Sequence, residues 1–186
     1  MKSIPQIVYA LTIVLLLPAS LVAGESNVNT RARKEAVQLT RQIESASRKI
    51  QDESAHLSAM QRNNHISSRS HQYRLQTIAN QVNEQLRPAL TRLAEIQPDL
   101  PQWNQQAIER MRSSAATIAF HANEAVLNRN QAGPSLPVSF DTDYRRLVKN
   151  ISDHAEVLTQ VADATVDYGT AQLKGTQAGL PITTHD

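Results

Sequence analysis

The residues best suited to chemistry in this chain are histidines and carboxylates at helical spacing. Glu53-Ser54-Ala55-His56 sets an acid and an imidazole three residues apart, on one face of a helix. Helical bundles that hold metals use this Glu-x-x-His spacing, with both groups projecting inward. His121-Ala122-Asn123-Glu124 carries the same groups in reverse order, and His154 follows alone. If successive helices alternate in direction, Glu53, His56, His121 and His154 all fall in one half of a bundle. Their nitrogen and oxygen donors would suit a divalent metal there. The set is incomplete, because a di-metal bundle site takes two Glu-x-x-His units plus two further carboxylates. The simpler expectation is that Glu53 reaches solvent or an arginine, that His56 faces partly outward beside Leu57, and that His154 is half-buried. On that expectation no cofactor is bound.

Other chemistries lack their residues. The chain has 186 residues and no Cys, which excludes disulfide scaffolds, thiolate metal sites and a cysteine nucleophile. Gly is 5, and no phosphate loop, dinucleotide fingerprint, His-Glu-x-x-His or Gly-x-Ser-x-Gly motif occurs. The protein is therefore expected not to be an enzyme. Haem ligation by Met60 with His121 or His154 needs a large apolar pocket, and aromatics are only 4% of the chain. Asn150-Ile151-Ser152 fits the glycosylation pattern but falls mid-helix. A net charge of +2 is too small for a nucleic-acid binder. Trp103, Tyr73, Tyr144 and Tyr168 are the aromatic candidates for a stacking patch or partner anchor. Tyr144 and Tyr168 lie on an apolar seam, so core filling is expected of both.

Four segments must position these residues, and each carries an apolar stripe at the three-four spacing of a helix. The first, about 31–62, has the seam Ala36, Leu39, Ile43, Ala46, Ile50, Glu53, Leu57, Met60, with Asn29 or Thr30 as caps. Residues 63–70 are rich in Asn and Ser, which compete for the backbone, and read as a turn. The second segment, about 71–97, has Leu75, Ala79, Val82, Leu86, Ala89, Leu93 and Ile96. Pro88 lies inside it without shifting the seam, which predicts a kink rather than an end. Pro98-Asp99-Leu100-Pro101 breaks the chain, with Asp99 and Gln102 spaced as a capping box. The third segment, about 101–130, has Ile108, Met111, Ala115, Ile118, Ala122, Ala125 and Arg129. Gly133 and Pro134 stop it. Asp141 caps the fourth, about 141–168, with Tyr144, Leu147, Ile151, His154, Leu158, Val161, Thr165 and Tyr168 on its seam. Gly169, Gly175 and Gly179 then suggest a frayed polar tail, taken as 175–186.

The economical solution is an all-α, up-down-up-down four-helix bundle over residues 25–174. A long helical hairpin that dimerises through the same seams is the alternative. Residues 31–62 hold seven Lys/Arg against four Asp/Glu, and residues 141–168 hold six acids against three bases. The first and fourth helices are thus expected to be neighbours of complementary charge.

Residues 1–24 have a basic start at Lys2, an apolar run from Ile7 to Leu17, Pro18, and small residues to Ala23-Gly24. This is the pattern of a signal-peptide helix cut after Ala23 or Gly24. The run is shorter than the roughly 20 residues of a spanning helix, and Glu25 stands where a lipoprotein would have Cys. The expected product is periplasmic or secreted, with no stable membrane anchor after cleavage. Its expected work is binding a protein or envelope partner, with self-association open and nucleic acid excluded. A metal- or small-ligand-binding bundle is the alternative function.

Overall fold

The computed structural model describes residues 19–62, 67–132 and 141–177, with side chains for 30–62, 67–131 and 141–175. Most of the leader, residues 63–66 of the expected turn, Gly133-Pro134 and the end of the tail lie outside those residues, and Ser68–Ser70 of the expected turn already belong to a helix. The helices are α1 (Ala19–Met60), α2 (Ser68–Asn80), α3 (Arg87–Ile96), α4 (Gln102–Ala132) and α5 (Thr142–Gln177). A π-helical turn, Gln81–Leu86, runs α2 into α3, and a 3-10 turn, Gln97–Asp99, ends α3. The four rods α1, α2–α3, α4 and α5 form an all-α up-down-up-down bundle. Each rod packs on the next, and α5 returns against α1. Among the described residues no helix is long and apolar enough to cross a membrane.

The seams make the core. Ile43, Ile50, Leu57, Leu75, Ile78, Leu86, Leu93, Met111, Ile118, Ile151 and Leu158 are fully buried. Burial of such side chains is worth about 1.5–3 kcal/mol each relative to exposure. The innermost row of α1 is not the one an apolar count selects. Ala36, Thr40, Ile43, Ser47, Ile50, Ser54, Leu57 and Gln61 are all buried, whereas Leu39, Glu53 and Met60 are only half-buried. Every seventh residue of the inner row is therefore polar. The hydroxyls of Thr40, Ser47 and Ser54 donate to the carbonyls of Ala36, Glu44 and Gln51 at 2.8–2.9 Å. A hydroxyl satisfied by its own helix can be buried at little cost.

Pro88 is accommodated by the π turn immediately before it. The Arg87 amide bonds back five residues, to the Val82 carbonyl. Widening the helix here moves the Glu84 carbonyl away from the proline ring, which a regular α-turn would make collide. The predicted bend therefore takes the form of one widened turn in a continuous rod.

The helix ends differ from expectation in three places. α1 runs upstream through Asn29 and Thr30, so neither caps it. Asp99 sits in the 3-10 turn, and the first amides of α4, from Asn104 and Gln105, bond to the Pro101 carbonyl. α5 continues through Gly169 to Gln177, past the expected end near Tyr168. Gly169 is buried, and a Cβ placed on it would stand 2.8 Å from Cγ2 of Val37. The glycine lets α5 lie close to α1 and does not end the helix. Asp141 caps α5 as its position implied, accepting from the Tyr144 amide at 2.9 Å.

Candidate functional site

The densest polar cluster lies at the end of the bundle where α2 and α5 begin and α4 finishes. His71, on the first turn of α2, and Tyr144, on the first turn of α5, are both buried, with Nδ1 and the phenol oxygen 3.2 Å apart. Their rings meet edge to face at 5.7 Å. Arg129, from the last turn of α4, stands over the Tyr144 ring, 5.5 Å from its centroid. Its guanidinium reaches Asp141 at 3.4 Å and Ser68 at 3.3 Å, and its side chain has no solvent exposure. Nε2 of His71 is buried with no hydrogen-bond partner. Burial first, and then the Arg129 charge, push the His71 pKa down to about 4. Burial also pushes the Tyr144 phenol well above its usual range. Neutral His71 and neutral Tyr144 are thus sealed beneath a buried cation. This cluster ties α2, α4 and α5 together, and its His71, Arg129, Asp141 and Tyr144 are buried while Ser68 is half-buried.

The four predicted metal ligands divide between opposite edges of the bundle. Glu53 accepts from Arg74 of α2 at 2.7 Å, and His56 stands 3.3 Å from the same guanidinium. That pair lies on the α1–α2 edge with a cation between the two groups. His121 of α4 and His154 of α5 face each other across the opposite edge, ring centroids 6.3 Å apart, with Asn150 at 3.4 Å from His121 Nε2. Burial first, then His154 and Arg146, lower the His121 pKa, while Glu124 pulls it the other way. Among the described residues no group of three or more His, Asp or Glu is placed to hold a metal ion.

The α4–α5 edge carries the second feature. Trp103 and Tyr168 meet edge to face, centroids 4.4 Å apart, in a groove of about 1020 Å³ between the two helices. Val161, Ala164 and Ala107 line it together with glutamines, Glu109 and Arg110. Tyr168 is 51% exposed, contrary to its expected place in the core. Nε1 of Trp103 is buried without an acceptor. Val157 follows along α5, and Phe120 stacks beside His121 on α4 at 5.3 Å. Both are exposed. α1 and α5 are neighbours as their charges suggested, but the ion pair spanning them, Arg48–Asp163 at 3.9 Å, is exposed and weak.

The sequence signals for the polar cluster were Arg129, the one charge on the α4 seam, and His71, four residues ahead of Leu75 on the α2 seam. Comparison of the chain with protein-family models, with curated proteins and with solved structures finds no match.

Proposed function

We propose that this is an exported, non-catalytic binding protein whose α4–α5 face docks a helical segment of a protein partner in the cell envelope. The observation that carries this reading is the Trp103–Tyr168 groove. An aromatic pair lies half open in it, and its buried indole N–H has no acceptor among the described residues. Aromatic anchors of this kind dominate protein interfaces because they bury much area with few rotatable bonds. The exposed Val157 and Phe120 extend the apolar band toward the middle of the bundle. The non-catalytic reading rests on the missing catalytic motifs in the sequence. Export rests on the leader pattern in residues 1–24.

The test uses Trp103, the only tryptophan in the chain. Crosslinking in native envelope should capture a protein with the wild type and not with Tyr168→Glu. Titrating that protein should shift Trp103 emission to shorter wavelength. Equal capture by Tyr168→Glu would contradict the proposal. N-terminal sequencing of the exported protein should read from Gly24 or Glu25, and an intact Met1 would contradict export with cleavage.

A further inference from the structure

The bundle has a second recess, on the seam between α3 and α4. α2 packs on the end of α4, but beyond the π turn the second rod leans mainly on α1 and away from α4. A cleft of about 500 Å³ opens there. The two rods are bridged on either side of it, by Gln72 on Asn130 and Arg129 on Ser68 toward the start of α2, and by Gln97 on Glu109 past the end of α3. On the second rod it is lined by Val82 and Leu86 of the π turn and Leu90 and Ala94 of α3, and its α4 side is alanine: Ala115, Ala116 and Ala119. Small side chains on α4 leave space unfilled beside the second rod.

The charge at the cleft is of one sign. Arg87 and Arg112 line it, and no Asp or Glu does. Arg112 is held by Glu109 at 3.2 Å, whereas Arg87, beside the π turn, has no ion pair among the described residues. An apolar trough with one unpaired cation, Arg87, at its margin matches a ligand with a hydrocarbon tail and an anionic head. From Val82 to Ala94 the cleft runs about 18 Å along the rod, room for a chain of roughly twelve carbons. Its volume lies within the roughly 300–1,000 Å³ typical of small-molecule sites.

We propose that the α3–α4 cleft is a binding site for a medium-chain carboxylate, its tail along Leu90, Ala94 and the α4 alanines and its head on Arg87. This site is separate from the α4–α5 face, and either can fail without the other. Dodecanoate, below its micelle concentration, is titrated into the full chain against a displaced fluorescent fatty acid, with dodecyltrimethylammonium as the cationic counterpart. Saturable one-to-one binding of dodecanoate is expected, at least tenfold tighter than the cationic probe. Ala119→Leu fills the trough and should weaken binding at least tenfold while the melting temperature holds or rises. Arg87→Glu, on the surface, should weaken dodecanoate about fivefold or more and narrow its advantage over the cationic probe. Failure to saturate, equal affinity for the two head groups, or affinity unchanged in both variants would overturn the proposal. So would a wild-type dimer that Ala119→Leu converts to monomer, because a second copy would then occupy the cleft.

Discussion

The α1–α5 seam and the α3–α4 seam are both built from small side chains, yet the first closes and the second stays open. On the first, Ser47 and Thr159 stand 2.8 Å apart across the interface, and Gly169 admits Val37 against the α5 backbone. On the second, three alanines of α4 face a rod that carries a π turn just before Pro88. Small residues permit close approach but do not enforce it. A straight partner at constant register closes the gap, and one widened turn in the partner leaves it open.

The largest expected effect falls on the polar cluster that pins the open seam at one end. Arg129→Ala leaves the buried carboxylate of Asp141 facing a cavity, and should cost about 3–5 kcal/mol in denaturant unfolding. Loss of this clamp should lengthen the cleft, whereas the α1–α5 seam keeps its own contacts.

Acid attacks the same clamp. His71 takes up a proton near its ordinary 6.5 in the unfolded chain but only near 4 in the fold. Between those values the unfolded state binds more protons. Stability present above pH 6.5 therefore falls as pH drops toward 4, by about 2–3 kcal/mol. The charges facing His71 are Arg129, which opposes its protonation, and Asp141 beyond it. Urea midpoints at pH 7 and pH 4.5 measure the loss, and His71→Gln should flatten it.

The two seams separate most cleanly by overfilling. Ser47→Leu crowds the closed seam and should cost about 2 kcal/mol. Ala119→Leu in the open seam should be neutral or stabilising by thermal unfolding. Equal losses would mean that the seams do not differ in packing.

The smallest effect is at Gly169. Alanine there gains about 1 kcal/mol of helix propensity but drives a methyl into stiff Val37, so Gly169→Ala should lose about 1 kcal/mol net. In a Val37→Ala background the same change should stabilise. A double-mutant cycle reads the difference.

The fold was legible because its main signal is local. A three-four apolar period set all four rods, their order and the continuation of the second across Pro88, and Asp141 announced its cap. The polar inner row of α1 was not legible. Counting apolar residues passes over hydroxyls that bond to their own helix. The length of α5 was hidden for a related reason: Gly169 reads as a stop by propensity, but contact with α1 decides its role. The histidine and carboxylate set failed on rotation. Each residue turns a helix face by about 100°, and that small offset sends Glu53 and His56 to Arg74 on one edge while His121 and His154 meet on the other. Sequence gives the level of a residue along a bundle more readily than the direction it faces.

Native-state hydrogen exchange tests the contrast between seams directly. Amides of Ile43–Leu57 and Ile151–Ala162 should exchange only through global unfolding. Those of Leu86–Leu93 should exchange at least tenfold faster, through local opening along the cleft. Protection equal in the two regions would contradict an open α3–α4 seam, and with it the account of how this bundle is built.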